Sequence, residues 1–190
     1  LRIARFAKEV GIPTYYYIAP KVWAWKESRI KKIRKYVDRL FVIFPFEIEY
    51  FRNKGIEPIY EGNPLIDAID QRRSALLSRE EFIAKNHLDE RPIIALLAGS
   101  RRSEIGYNLP FMVELSKLYP QYQFVVAGVS WLDRSIYTPY LQGSDVRYIC
   151  DETYELLAVS EAAVVTSGTA TLETALLGVP QIVCYRRDWA

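Results

Sequence analysis

Four short apolar runs in the second half of the chain constrain its fold most strongly. They lack the alternating polar residues of a half-exposed strand, so they predict strands buried on both faces, as in a parallel sheet covered by helices. Helical segments separate these runs, and that alternation is typical of a doubly wound α/β domain. The apolar runs lie at residues 93–98, 124–127, 162–165 and 182–185, and the helical segments at 109–118 (behind a possible Asn108 cap), 153–161 and 170–177.

The first part of the chain alternates in the same way with shorter elements. Its order up to residue 60 is helix, strand, helix, strand, helix, strand, and one helix is predicted from residue 28 to about residue 40 because apolar residues recur there on one helical face. Residues 65–90 are polar and are predicted to be helical, with a Ser-x-x-Glu capping pattern at Ser78, and they are interpreted as the connection between two domains. The predicted fold class is therefore α/β, with two Rossmann-like doubly wound domains over residues 1–69 and 70–190.

Composition removes several functional classes. The formal net charge is +2, which is too close to balance to indicate a nucleic acid partner. No run reaches the roughly 18 apolar residues of a membrane-spanning helix, and Cys150 and Cys184 stand far apart, so we expect neither a disulfide framework nor a zinc site. The one methionine is Met112 and the first predicted element is a helix, so we expect this chain to be a piece of a longer protein.

Two loops that follow predicted strands carry the residues of a candidate site. In a doubly wound sheet, ligands bind beyond the carboxyl ends of the strands, near the switch in strand order. Each loop precedes a helix, where backbone N–H groups are free and the helix dipole favours an anion, and Arg101 adds a bidentate donor. This predicts a diphosphate held between the loops, although turn chemistry alone would also explain either loop. The loop residues are Gly99, Ser100 and Arg101, and Ser167, Gly168 and Thr169.

Glu173 and His87 are further titratable residues to consider. Glu173 follows Thr169 by four residues, which predicts a place in the first turn of its helix. There it would either accept hydrogen bonds from ribose hydroxyls or compensate the helix dipole. His87 is the only histidine and lies in the polar connection, where we expect a solvated surface residue. The sequence has no P-loop, no G-x-G-x-x-G fingerprint and no G-x-S-x-G elbow.

A basic segment at residues 21–39 begins with two tryptophans, Trp23 and Trp25. It holds eight basic and two acidic residues, a local net charge of +6. Cations beside tryptophan are typical of a protein surface that binds a membrane or an anionic lipid head group. The alternative is a solvated helix face whose tryptophans pack in the core.

Five motifs, in the same order, resemble those of the lipid-A-disaccharide synthases, a family of glycosyltransferases of the GT-B class. The Val-Trp-Ala-Trp run is specific to that family, whereas the Ser-Gly-Thr and Gly-Asn-Pro motifs are shared with other UDP-sugar enzymes. The resemblance spans nearly the whole chain. The motifs are Tyr-Ile-Ala-Pro-Lys-Val-Trp-Ala-Trp-Lys at 17–26, Phe-Pro-Phe-Glu at 44–47, Gly-Asn-Pro-Leu-Ile-Asp at 62–67, Gly-Ser-Arg-Arg-Ser-Glu-Ile at 99–105 and Ser-Gly-Thr-Ala-Thr-Leu-Glu at 167–173.

The resemblance implies transfer of 2,3-diacylglucosamine from UDP to 2,3-diacylglucosamine 1-phosphate, which gives the β-1,6-linked lipid A disaccharide 1-phosphate and UDP with inversion. It implies that Arg101 stabilises the leaving UDP, that the two loops bind the diphosphate and that Glu173 binds the ribose, with no metal ion or other cofactor. Trp23, Trp25 and Asn63 would line the acceptor, lipid or cleft surface. The implied partners are the two acylated sugars and the cytoplasmic membrane surface, and the implied location is the cytoplasm, peripheral to the inner membrane.

The chain departs from the family pattern at both ends. The acidic general base of the family would precede Leu1, and further active-site residues would follow Trp189-Ala190, so we expect two incomplete domains and no turnover by this chain alone. Asn63 stands where the family more often has histidine.

Two other functions remain as alternatives. One is another UDP-N-acetylglucosamine enzyme, either a 2-epimerase or the peptidoglycan transferase, and the other is a non-catalytic module that binds sugar nucleotides or lipids.

Overall fold

The computed structural model of the chain describes residues 1–185, which fall into two compact units, Leu1–Ala68 and a second that begins at Ile69. Each unit is built on its own parallel sheet, so the predicted α/β class is confirmed. Residues 186–190, which include Trp189 and Ala190, lie outside the described residues. Within residues 1–185, no helix is both long enough and apolar enough to cross a bilayer.

The first unit alternates helices and strands in the predicted order. Its elements are α1 (Arg2–Glu9), β1 (Tyr15–Tyr17), a short 3₁₀ helix (Glu27–Arg29) that leads into α2 (Ile30–Tyr36), β2 (Arg39–Val42), α3 (Pro45–Arg52), β3 (Pro58–Tyr60) and α4 (Pro64–Arg73), which runs past the end of the unit. The strands pair in parallel in the order β1-β2-β3. Apolar residues of α2, β2 and α3 form the core, and those with the least exposure are Ile33, Leu40, Val42 and Phe51.

Helix α2 ends at Tyr36, earlier than predicted. The next residue, Val37, is extended, with φ −108° and ψ 125°. The N–H of Asp38 donates to the carbonyl oxygen of Thr14, and the N–H of Thr14 donates to Asp38 Oδ2 at 2.8 Å. This pair ties the chain before β1 to the chain before β2 and starts the strand. Leu40 is therefore buried as a strand residue, which the apolar spacing alone does not distinguish from a helical one.

The second unit is a doubly wound five-stranded sheet. Its elements are α5 (Arg79–Asn86), β4 (Ile93–Leu97), α6 (Arg102–Leu118), β5 (Gln123–Gly128), a 3₁₀ helix (Arg134–Ile136), α7 (Thr138–Leu141), β6 (Arg147–Cys150), α8 (Thr153–Ala158), β7 (Ser160–Thr166), α9 (Thr169–Leu176) and β8 (Gln181–Cys184). All strands are parallel, in the order β6-β5-β4-β7-β8. The order reverses between β4 and β7, which is the switch point where such sheets bind ligands.

Strand β4 explains why the apolar runs are continuous. Ile93, Ala95 and Leu97 belong to one hydrophobic cluster, with residues of α5 and α8. Leu96 belongs to a second cluster, with residues of α6. Successive strand side chains point to opposite faces of a sheet, so a central strand that is covered on both faces must be apolar at every position.

Two helix boundaries in this unit differ from the prediction by three residues or more. Helix α6 begins at Arg102, and Asn108 is an interior helix residue, so its predicted role as a cap is wrong. The buried residues of α6 recur at three- and four-residue intervals from Ile105 onward, which is the signal that fixes the earlier start. Helix α8 ends at Ala158, before the predicted end at 161, because β7 begins at Ser160.

Helix α5 belongs to the second unit and is more than a connection. Its predicted capping box is confirmed, since Ser78 Oγ accepts from the N–H of Glu81 and Glu81 Oε2 accepts from the N–H of Ser78 at 2.9 Å. Phe82 is fully buried and Ile83 is 7% exposed, both in the cluster that holds β4. The predicted helical character of residues 65–90 is therefore confirmed in α4 and α5, and α5 also covers one face of the sheet. His87 ends this helix in the left-handed conformation and is exposed, as expected.

We predict that Phe82→Ala lowers the free energy of unfolding of the second unit by about 3–5 kcal/mol, because it removes a fully buried aromatic ring. The matched control is Phe111→Ala on α6, where the ring is 69% exposed, and its expected effect is about 0.5 kcal/mol or less. Urea unfolding followed by circular dichroism measures both variants. Equal effects would mean that α5 does not contribute to the core.

Candidate functional site

The two predicted loops lie side by side at the carboxyl edge of the second sheet. The first follows β4 and the second follows β7, and these strands are hydrogen-bonded neighbours in which Leu97 is paired with Val165. Helix α6 begins directly after the first loop, and α9 begins at Thr169, the last residue of the second, so two helix N-termini lie at the switch point. The predicted proximity of the two loops is present in the structure.

The first loop is shaped around the carboxylate of Glu104, which sequence reasoning did not select. Gly99 has φ +117°, and a Cβ atom there would lie 2.5 Å from the Cβ of Glu104, so glycine is required. Glu104 Oε2 accepts from the N–H of Ser100 at 2.9 Å, and Glu104 Oε1 accepts from Arg101 Nη1 at 2.8 Å. The Arg101 side chain is 78% exposed. The indole N–H of Trp131 donates to the carbonyl oxygen of Ser100 at 3.2 Å.

The second loop is open to solvent. Ser167, Gly168 and Thr169 are all exposed, and Gly168 caps α9 in an extended conformation. The N–H of Ser167 donates to the carbonyl oxygen of Cys184 in β8 at 2.8 Å. The prediction that the loop N–H groups are free is therefore wrong for Ser100 and Ser167, because a carboxylate and a neighbouring strand take them. In the first turn of α9, the N–H of Thr171 donates to the carbonyl oxygen of Gly168 at 3.2 Å. The N–H groups that precede it lie at a helix N-terminus, where acceptors within the helix are lacking.

Asn108 joins the two loops. Its Nδ2 donates to the carbonyl oxygen of Ala98 at 3.3 Å and to Thr166 Oγ1 at 2.9 Å. Ala98 directly follows β4 and Thr166 ends β7, so one side chain holds together the two strand ends from which the loops depart. The position of Asn108 on the face of α6 turned to the sheet was the sequence signal for this contact, and the incorrect prediction of a cap concealed it.

Glu173 lies in the second turn of α9, as its fifth residue, so the predicted place in the first turn is wrong and dipole compensation does not account for it. Glu173 Oε1 accepts from the hydroxyl of Tyr154 on α8 at 2.6 Å. Burial and the negative charge of Glu173 raise the pKa of Tyr154 to about 12. The guanidinium carbon of Arg72 lies 5.2 Å from the centre of the Tyr154 ring. Sequence reasoning selected neither Tyr154 nor Arg72.

In the first unit, Trp23 is part of a structural cluster. Its indole N–H donates to Glu47 Oε1 at 3.0 Å, and its ring meets that of Phe46 edge to face at a centroid distance of 5.1 Å. Glu47 is 1% exposed, and its Oε2 also accepts from the backbone N–H groups of Ile43 and Phe44. Two of the motifs that carry the family resemblance therefore contact each other directly.

Trp25 and Asn63 occupy different environments. Trp25 is 61% exposed, and Lys26 Nζ lies 4.4 Å from a ring centre of its indole, so the alternative of a core tryptophan is wrong at this position. Trp23 is 40% exposed and is not in the core either. Asn63 is buried, and its Oδ1 accepts from the N–H of Leu65 at 3.0 Å, which caps the start of α4.

The basic segment at residues 21–39 has few internal charge partners. Its two acidic side chains pair with lysines from outside it, Glu27 with Lys54 and Asp38 with Lys8, each at 2.6 Å. In the described part of the chain, none of the eight basic side chains of the segment forms an ion pair with a carboxylate. The same part of the chain has no group of three or more His, Cys, Asp or Glu side chains placed to hold a metal ion.

Comparison with known proteins gives a consistent family. A family model described as lipid-A-disaccharide synthetase matches residues 1–188. The lipid-A-disaccharide synthase of Syntrophus aciditrophicus is 41% identical over 98% of this chain and 50% of its own length, and that of Geobacter metallireducens is 38% identical over 96% and 48%. That of Coxiella burnetii is 38% identical over 98% of this chain and 50% of its own length. The chain thus spans about half the length of the curated relatives it matches.

One solved structure supports the fold. The UDP-GlcNAc 2-epimerase from Neisseria meningitidis, bound to UDP-GlcNAc, superposes with a TM-score of 0.58 over 95% of this chain and 54% of that chain. Its sequence identity is 19%, so the likeness concerns the fold alone.

Proposed function

The chain belongs to the lipid-A-disaccharide synthase family, and from this premise we propose that it serves the transfer of 2,3-diacylglucosamine from UDP to 2,3-diacylglucosamine 1-phosphate. The products are the β-1,6-linked disaccharide 1-phosphate and UDP, with inversion at the anomeric carbon. The second unit binds the UDP-sugar donor and the first unit contributes to acceptor binding. Positive side chains and helix N-termini, and not a metal ion, stabilise the leaving diphosphate in this proposal.

The observation that supports the proposal most is the meeting of two loops at the switch point of the second sheet. Both precede helix N-termini, where anions are favoured, and Asn108 holds their strands together. A diphosphate has two adjacent anionic groups, which suits a site between two such loops. In the proposed complex, Ser100 and the loop of Ser167, Gly168 and Thr169 hold the diphosphate, with Gly99 giving the close turn.

Arg101 is the proposed electrophilic residue. Its ion pair with Glu104 is mostly exposed, and pairs of that kind contribute about 0–1 kcal/mol. A bidentate, charge-assisted contact with phosphate is stronger, at about 1.5–3 kcal/mol. The guanidinium therefore exchanges Glu104 for the diphosphate at little cost, and it then stabilises the negative charge that develops on UDP as the glycosidic bond breaks.

A transfer assay on the product of the complete gene tests this function. With UDP-2,3-diacylglucosamine and diacylglucosamine 1-phosphate, we expect release of UDP and a disaccharide detected by mass spectrometry. With UDP-N-acetylglucosamine in place of the donor, we expect neither transfer nor epimerisation. Formation of UDP-N-acetylmannosamine, or transfer to a peptidoglycan acceptor, would contradict the proposal in favour of the other sugar-nucleotide enzymes.

The basic segment at residues 21–39 is the proposed contact with anionic lipid at the cytoplasmic membrane surface. Trp25 is exposed beside Lys26, as in residues that anchor proteins at a lipid interface. A cavity of about 440 Å³ on this unit is lined by Arg2, Arg29 and Lys32, among other residues. Acylated and phosphorylated sugars are found in a bilayer, so a surface with this charge would bring the protein to its substrates.

We predict that the double variant Lys31→Ala/Lys32→Ala binds phosphatidylglycerol vesicles about thirtyfold more weakly, because each lysine near an anionic surface contributes about 1 kcal/mol. The matched control is Lys85→Ala/Lys117→Ala in the second unit, where both lysines are exposed and paired with glutamates. It changes the net charge equally and should change binding little. Sedimentation with vesicles measures both variants, and equal losses would contradict a specific surface on the first unit.

A further inference from the structure

The hydrogen bond between Tyr154 and Glu173 is the strongest unassigned feature next to the proposed donor site. It joins α8 to α9 at 2.6 Å, and both residues are half-buried. Among residues 1–185, only the Tyr154 hydroxyl donates a hydrogen bond to the Glu173 carboxylate. A carboxylate has two oxygens and about four acceptor sites, so Oε2 keeps its capacity for a ligand.

Tyr154 is itself held in place. The Arg72 guanidinium lies 5.2 Å from its ring centre, and the ring is half-buried at the start of α8. The raised pKa of Tyr154, about 12, keeps the hydroxyl protonated throughout the physiological range, so it remains a donor. A glutamate in the second turn of a helix has several accessible rotamers, and a fixed donor on one oxygen selects among them.

We infer that Tyr154 is a positioning residue that fixes the carboxylate of Glu173, so that this carboxylate accepts the ribose 2′- and 3′-hydroxyls of a uridine nucleotide. The inference rests on the proposed function, since it assigns a role next to the proposed diphosphate loops. A ribose diol offers two donors, and an oriented carboxylate accepts from both only in a narrow range of rotamers. Tyr154 therefore contributes to the choice of ribose over 2′-deoxyribose without touching the nucleotide.

The test is calorimetric titration with UDP and with 2′-deoxy-UDP. We expect the wild-type chain to prefer UDP by about tenfold, and Tyr154→Phe to reduce that preference about fivefold while its affinity for 2′-deoxy-UDP changes little. The control is Tyr119→Phe, which removes a hydroxyl directly after the C-terminal end of α6. It should leave the preference for UDP unchanged. Glu173→Gln should abolish the preference, and adding Tyr154→Phe to it should have no further effect.

The outcomes separate this inference from the proposed function. If the wild-type chain prefers UDP and Tyr154→Phe keeps the full preference while its circular dichroism spectrum is native, Tyr154 has no positioning role and the inference is overturned. If UDP and 2′-deoxy-UDP bind equally to the wild type, the inference is overturned while the diphosphate site stands. If UDP does not bind at all, the proposed donor site is contradicted, and the inference that rests on it is overturned with it.

Discussion

Arg101→Ala is expected to weaken UDP binding about 10- to 100-fold, since it removes a charge-assisted contact with the diphosphate worth roughly 1.5–3 kcal/mol. The stability of the chain should hardly change, because the Arg101 side chain is 78% exposed and its ion pair with Glu104 is of the weak surface kind. The UDP affinity of Arg101→Lys should fall between those of the wild type and Arg101→Ala, because lysine keeps the charge but loses the planar pair of donors. Calorimetric titration with UDP measures all three proteins.

The control for Arg101 is the next residue. Arg102→Ala removes the same charge at an exposed position at the first turn of α6, so it reproduces any general electrostatic effect on an anionic ligand. We expect a change of about threefold or less. Equal losses for Arg101→Ala and Arg102→Ala would remove the special role of Arg101 and leave only a diffuse positive surface.

Glu47→Ala is expected to lower the free energy of unfolding of the first unit by about 3–5 kcal/mol. Glu47 is 1% exposed and accepts from the indole of Trp23 and from the N–H groups of Ile43 and Phe44. Removing the carboxylate leaves these donors without their acceptor inside the unit and opens space under α3. Tryptophan fluorescence, to which Trp23 contributes, is followed during urea unfolding and reports the change.

The matched control is Glu49→Ala, which removes a carboxylate from an exposed position on the same helix. Its expected effect is about 0.5 kcal/mol or less. If both variants lose the same stability, Glu47 has no structural role and the contact between the two motifs is incidental. The comparison also bears on Trp23, because a large effect of Glu47→Ala supports a structural use of its indole N–H.

Much of the fold could be predicted because its signals are local. Successive side chains of β4 belong to two different hydrophobic clusters. A strand that is buried on both faces is therefore apolar at nearly every position, which the sequence shows directly. The capping box of Ser78 and Glu81 spans four residues and is visible in the sequence. Errors arose where distant contacts decide the outcome. Helix α2 stops at Tyr36 because residues around Asp38 bind the chain at Thr14, which helical periodicity does not register.

The candidate site divides in the same way. Arg101 and the small residues of both loops follow buried strands, and that position is visible in the sequence. Asn108 meets Thr166 across 58 residues of chain and Tyr154 meets Glu173 across 19, so no motif spacing announces either pair. Glu104 is different, because it lies only four residues from Ser100 and within the motif at residues 99–105. Its bond to the Ser100 N–H follows from the left-handed turn at Gly99, which the sequence permits but does not require.

The most direct test of the central claim follows the backbone amide NMR resonances of the chain as UDP is added, with ADP as the control. A diphosphate held between the loops should shift the amides of residues 99–101 and 167–169 most, and Glu173 with them, and ADP should have a weaker effect. The chemical shifts of the amides of the first unit, including those of Trp23 and Trp25, should not change. Changes confined to the first unit, or equal changes with UDP and ADP, would contradict the assignment of the uridine nucleotide to these loops.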